Sequence, residues 1–178
     1  PAWPKPEQWL NQLGTEGPMG RCVEDVARLL MVQAGRDDRV PLSISGGWPG
    51  GALDLTPPAL LSTRIAWLGN LDGYLAMEPG ILDLCEAALR MLADDGCQIA
   101  PVSAPFDPAA AWETWLTWRR WLVAGRLAPH SADPRSRRLL KPEARWEADQ
   151  GQGLTGPQIY AASLERTAFY QHLLGLSD

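Results

Sequence analysis

Thr63-Arg64-Ile65-Ala66-Trp67-Leu68, followed by Gly69 to Glu78, then Pro79 to Gly96, then Cys97-Gln98-Ile99-Ala100-Pro101-Val102, sets the class of this chain. The first six residues read as a strand: short, β-branched and aromatic, and bounded by Gly69. Gly69 to Glu78 is rich in turn formers, and Pro79 suits the first turn of a helix. Ile81, Cys85, Ala88 and Leu92 fall on one helical stripe with Leu82 and Leu89 beside it. Asp94-Asp95-Gly96 stops the helix, and Cys97 to Val102 forms a second, short strand. Strand, helix, strand at this spacing predicts a right-handed crossover joining two parallel strands in one sheet. Pro101 places the second strand at an edge or near its own end.

On the N-terminal side, Gly17-Pro18-Met19-Gly20 is a turn, and a helix is predicted over about 21–34. Val23, Val26, Ala27, Leu30 and Ala34 share a face, and Gly35 stands in the C′ position. Cys22 occupies the usual place of a Ser or Thr cap, with Asp25 three residues on, so the capping box is weakened. Asp37 to Leu61 loses periodicity and reads as a long surface connection. Its Gly46-Gly47-Trp48-Pro49-Gly50-Gly51 run has no following Lys-Ser/Thr and no helix start, which argues against a phosphate cradle. Pro1-Ala2-Trp3-Pro4-Lys5-Pro6 should be an extended arm. Toward the C-terminus, Asp107-Pro108 opens a helix to about Leu127, Asp133-Pro134 opens another, and Pro142 breaks or restarts it. Thr155 and Gln158 form a capping box for a last helix carrying Ile159, Ser163, Thr167, Tyr170 and Leu173.

Composition agrees with a globular α/β chain. The 178 residues are 46% hydrophobic and 21% charged, the balance of one ordinary folded domain. A net charge of −5 with a pI near 5.0 repels nucleic acid and anionic membrane. No apolar run approaches the ~20 residues that span a bilayer, and no basic stretch precedes one. Three cysteines, Cys22, Cys85 and Cys97, have no pairing signature, which suits a reducing, cytoplasmic compartment.

Few residues suggest chemistry on their own. His130 and His172 are far apart, and neither Cys-x-x-Cys nor His-x-x-x-His occurs, so no metal site is expected. No Gly-x-Ser-x-Gly elbow makes a serine reactive, and His130 reads as a helix-end or loop residue. Cys85 and Cys97 read as small core residues. Arg135, Arg137, Arg138, Lys141 and Arg145 read as a solvated basic face rather than an anion site.

The tryptophans are the exception. Trp112, Trp115, Trp118 and Trp121 recur every third residue, so each shifts by about 60° around a helix turning ~100° per residue. With Leu116, Leu122 and Val123 they cover an apolar arc of roughly 220°, where a core-facing stripe needs ~100°. Core packing accounts for two or three of the four. The rest face a ligand pocket or an interface, with Trp121 expected at the exposed rim beside Thr117.

Glu16-Gly17-Pro18-Met19-Gly20-Arg21-Cys22-Val23-Glu24-Asp25 resembles the GPMAR(S/T)VxD segment of amidase signature hydrolases. Leu29 to Ser43 resembles the family's LLLxVxAGxDxxDPLS pattern, and Arg64 to Tyr74 its LRIAWSPDLGG strand and loop. Leu140 to Tyr170 resembles its later helical region. The four segments occur in the family's order. Gly20 and Cys22 depart from the usual Ala and Ser or Thr.

The resemblance implies a mixed sheet wrapped by helices and a Ser–cis-Ser–Lys triad that hydrolyses amides without a cofactor. It also implies that the family's Gly-Gly-Ser-Ser-Gly-Gly-Ser signature and catalytic lysine precede the segment matched here. Lys5 and Lys141 are the only lysines, and neither sits in the catalytic context. The expectation is therefore a partial amidase signature domain over 1–178: arm, helix and loop over 1–62, crossover unit over 63–102, and helical region over 107–174. No catalytic residue is assigned. Trp115 and Trp146 are candidate contacts to a small amide substrate, with packing as the competing reading for Trp146. The missing catalytic segment is an implied partner, and a homodimer fits the resemblance. Two alternatives stand beside the fragment: a triad-less component of a split amidase, and a binding module that kept the fold and lost the chemistry.

Overall fold

In the parallel pair at the centre of the crossover, β1 (Arg64–Trp67) lies beside β2 (Gln98–Pro101), with Arg64 opposite Gln98 and Trp67 opposite Pro101. The computed structural model describes residues 7, 9–10, 16–41, 43–47 and 63–176. The extended arm expected over 1–6 and the 48–62 part of the long connection lie outside the described residues. The chain divides into two compact units, Pro1–Pro58 and Ala59–Asp178.

In the first unit, α1 (Val23–Gln33) starts after Cys22, whose side chain makes no capping bond, as the weakened box implies. Of its expected apolar face only Ala27 is buried, whereas Val23 and Leu30 are exposed.

In the second unit, α2 (Ile81–Asp94) connects the two strands and packs on β2. It begins two residues later than Pro79 because Gly80 takes a left-handed φ of 88°, which ends the preceding turn and excludes an earlier helical start. Gly96, at φ 98°, stops it as expected. The stripe on its inner side is Leu82, Cys85, Leu89 and Leu92, while Ile81 and Ala88 lie outside it. Cys97 is buried and Cys85 is half-buried. Among the described residues the sheet has these two parallel strands, not the mixed sheet expected.

The remaining elements are α3 (Pro108–Ala132), α4 (Pro134–Leu139), α5 (Pro142–Gln152) and α6 (Gly156–Leu174). Asp107 caps α3 by accepting from the Ala109 N–H at 2.9 Å, and Asp133 caps α4 by accepting from the Ser136 N–H at 2.9 Å. The Thr155 N–H donates to Gln158 Oε1 at 2.8 Å, closing the box of α6. The end expected for α3 at Leu127 is wrong: the helix runs through Pro129 to Ala132. The proline costs the bond to the Gly125 carbonyl, which is exposed and open to water.

Helix α3 is the spine, with α5 and α6 packed along it. Small residues make the closest approach: Ala124 and Ala148 are buried, and a Cβ on Gly151 would lie 2.6 Å from the Arg120 carbonyl carbon. Helix α6 meets α3 through Arg166, whose guanidinium lies over the Trp118 ring, while the Phe169 ring stands edge-on at 4.6 Å to Phe106, just before α3; Ala162 of α6 is buried. Of the residues named for this helix, Ile159, Ser163 and Leu173 are half-buried, and Thr167 and Tyr170 are exposed.

Candidate functional site

The aromatic residues of α3 divide into two pairs. Trp118 and Trp121 are half-buried and meet edge to face at 5.6 Å, with the Arg166 guanidinium 4.3 Å from the Trp118 ring. Trp112 and Trp115 are each about half exposed and stack at 4.9 Å with 19° between planes. The expectation that Trp121 forms the exposed rim is thus corrected. Arg166 of α6 lies over the Trp118 ring, and the Trp112/Trp115 pair stays about half exposed.

The open pair continues into a charged seam between α3 and α5. The Arg119 guanidinium lies 5.2 Å from the Trp115 ring and forms an ion pair with Glu147, donating to Oε2 from Nη2 at 3.2 Å. The bond to Glu147 raises the Arg119 pKa above its ordinary value. One residue along each helix, the Arg120 guanidinium stacks 4.8 Å from the Trp146 ring, and Trp146 is half exposed. Arg120 Nε is buried without a hydrogen-bond partner. Both expected contact residues, Trp115 and Trp146, thus lie on the α3–α5 seam, each under its own arginine. The arginines are the members that sequence reasoning missed. Their signal was the Arg119-Arg120 pair inside the tryptophan repeat, opposite Trp146-Glu147.

This arrangement places half-exposed indole rings beside two arginine guanidinium groups. It has no nucleophile paired with a base. Among the described residues no cluster of three His, Cys, Asp or Glu side chains could hold a metal, and no helix is long and apolar enough to cross a membrane. His130 lies exposed in the last turn of α3. In the basic cluster, Arg137 donates to Asp149 at 2.8 Å, which lowers the Asp149 pKa. A depression of about 440 Å³ lies in the first unit at the start of α1, lined by Met19, Arg21, Asp25 and Arg28. Arg28 is paired with Glu24, and no nucleophile–base pair faces the depression.

No protein-family model matches the chain. It is 33% identical over 105 residues to the A-subunits of the glutamyl-tRNA(Gln) amidotransferases of Mycobacterium bovis (strain BCG / Pasteur 1173P2) and Mycobacterium tuberculosis (strain ATCC 25177 / H37Ra). The match takes in 57% of this chain and 21% of each relative. Its fold agrees with the crystal structure of a bacterial aryl acylamidase of the amidase signature enzymes, with a TM-score of 0.70 and 24% identity. That agreement covers 91% of this chain and 34% of the solved one. The chain is related to the amidase signature enzymes. Against these relatives it spans about a fifth of the amidotransferase polypeptide and a third of the solved amidase signature enzyme. The agreement with the latter extends the likeness in fold well beyond the 105 residues aligned by sequence.

Proposed function

We propose that this chain is a non-catalytic part of an amide hydrolase, contributing a wall of the substrate site through Trp115 and Trp146. In the whole enzyme a serine attacks the amide carbonyl, the amine or ammonia departs with a proton, and water releases the acid from the acyl-enzyme. The serine, its bridging serine and the lysine lie outside these 178 residues. The observation that carries the reading is the 33% identity to the mycobacterial amidotransferases over 105 residues. The seam supports it secondarily, since exposed indoles stiffened by Arg119 and Arg120 suit the apolar side of an amide substrate.

The test is to produce the chain with a polypeptide carrying the Gly-Ser-rich catalytic segment, and to assay anilides and primary amides. Hydrolysis should appear only in the combined preparation. Trp115→Ala and Trp146→Ala should each raise KM several-fold at nearly constant kcat, the mark of lost uniform binding. Unchanged KM in both variants would remove these tryptophans from the substrate site. Hydrolysis by the chain alone would overturn the non-catalytic reading.

A further inference from the structure

The loop after β1 is bent against the preferences of one of its own residues. Gly69, Leu71, Asp72 and Gly73 have φ of 54°, 57°, 55° and 91°. Glycine adopts such angles freely and aspartate tolerates them, but Leu71 is bulky and apolar and gains nothing locally from a left-handed backbone. Inside the loop, the Leu71 and Asn70 carbonyls accept from the Tyr74 and Leu75 N–H groups at 3.1 and 3.0 Å. Asn70 Oδ1 accepts from the Gly73 N–H at 2.9 Å. Those bonds close the turn without fixing it to anything else.

Among the described residues, the hydrogen bonds that join 69–75 to a distant segment both end on Asp72. Its carboxylate accepts from the Ala104 N–H at 3.2 Å and from the Ser103 hydroxyl at 3.3 Å. The place of Ala104 in the sheet explains the partner. The parallel ladder runs one step past β2, where the Val102 N–H donates to the Trp67 carbonyl at 3.0 Å. Alternate amides of an extended chain face the same edge, so Ala104 is the next donor toward β1. β1 has ended at Trp67, and Gly69 turns the chain. The Asp72 carboxylate stands in for the next strand carbonyl.

We propose that Asp72 is a positioning residue: it latches 69–75 onto 103–104 and so fixes, one against the other, the two loops at the carboxyl ends of β1 and β2. The inference rests on the fold and is independent of the amide-hydrolysis reading. Loops at the carboxyl ends of parallel strands wall the ligand crevice of open α/β sheets. Left-handed backbone at a residue such as Leu71 persists only where surrounding contacts over-determine it. The latch supplies that contact. Once it is released, Leu71 returns to negative φ and the loop leaves Ala104.

Amide hydrogen exchange followed by NMR on the full chain tests this with three variants. Asp72→Gly keeps the backbone freedom and removes the acceptor, and Asp72→Ala removes both. Asp72→Asn keeps a carbonyl for the Ala104 N–H and can donate its amide to the Ser103 hydroxyl oxygen. Ala104 exchange should quicken about tenfold in Asp72→Gly and Asp72→Ala, and stay near the parent rate in Asp72→Asn. In Asp72→Ala the Leu71 Cα and Cβ shifts should leave the left-handed range. The Gln98 and Val102 amides, which donate to the Thr63 and Trp67 carbonyls, should keep their rates. Ala104 exchange unchanged in Asp72→Gly and Asp72→Ala would overturn the latch. Equal acceleration at Gln98 and Val102, the mark of general destabilisation, would overturn it too, as would failure of Asp72→Asn to preserve the protection.

Discussion

Gly151→Ala should open the α3–α5 seam. The added Cβ would fall against the Arg120 carbonyl, 2.6 Å from its carbon, and 2.7 Å from the Ala124 Cβ. Carbon atoms pack at about 3.5–4.0 Å, so the two helices must part by roughly 1–1.5 Å. The clashing carbonyl is backbone and cannot rotate away. Separation also strips contacts from Ala148, which is 0% exposed. Overpacking costs about 1–3 kcal/mol, and a backbone clash belongs at the upper end. The urea midpoint should therefore fall by about 1 M or more, given a slope of about 1–3 kcal/mol/M. Trp146 emission should shift as the Arg120 stack loosens. Gly153→Ala is the control: its nearest neighbour is Gln150 O at 4.0 Å and its φ is −83°, so alanine fits. It should be neutral or stabilise by about 0.4–1 kcal/mol through the unfolded chain. A Gly151→Ala variant as stable as Gly153→Ala would refute the close approach of α3 and α5.

Other consequences are independent of the seam. Asp37 is held down to a pKa of about 2 by the Arg39 side chain and then by the Arg39 backbone N–H. Because the folded value is the lower one, any stability from this pair is present above the ordinary carboxylate value of ~3.9 and is lost as pH falls through about 2. A carboxyl NMR titration should find the Asp37 midpoint near 2, returning toward the ordinary value in Arg39→Ala; an unchanged midpoint would dismiss the pairing. Thr155→Ala breaks the box at the start of α6 and should cost about 1 kcal/mol, read by thermal unfolding; no loss would mean that the box is idle.

The parallel pair and its crossover were legible because local signals agreed: Gly69, Pro79, Gly96 and Pro101 punctuate one short apolar unit. The caps at Asp107, Asp133 and Thr155 were legible for the same reason, since each is satisfied within three residues. What depended on partners was not. Helix α6 is apolar on two sides, so its periodicity did not single out Ala162 as the buried residue. The Trp repeat announced excess apolar arc but not which end stays open, which depends on the elements packed against α3. The helix expected to end at about Leu127 instead passes Pro129, and Gly125, four residues before that proline, is exposed. Gly151 has no sequence signature of its own, because its role exists only where α5 crosses α3. Trp115 and Trp146 were singled out from aromatic content, whereas Arg119 and Arg120 stand beside them only through the contacts with Trp115, Glu147 and Trp146.

The central proposal is that the reacting groups of the amide hydrolase lie outside these 178 residues. Treatment of the full chain with a phosphonate or sulfonyl fluoride probe, followed by intact and peptide mass spectrometry, tests it most directly. The account predicts no serine modified above the level of a denatured control, and no anilide turnover above buffer. A single serine labelled in the folded chain only, with accompanying amide hydrolysis, would contradict it.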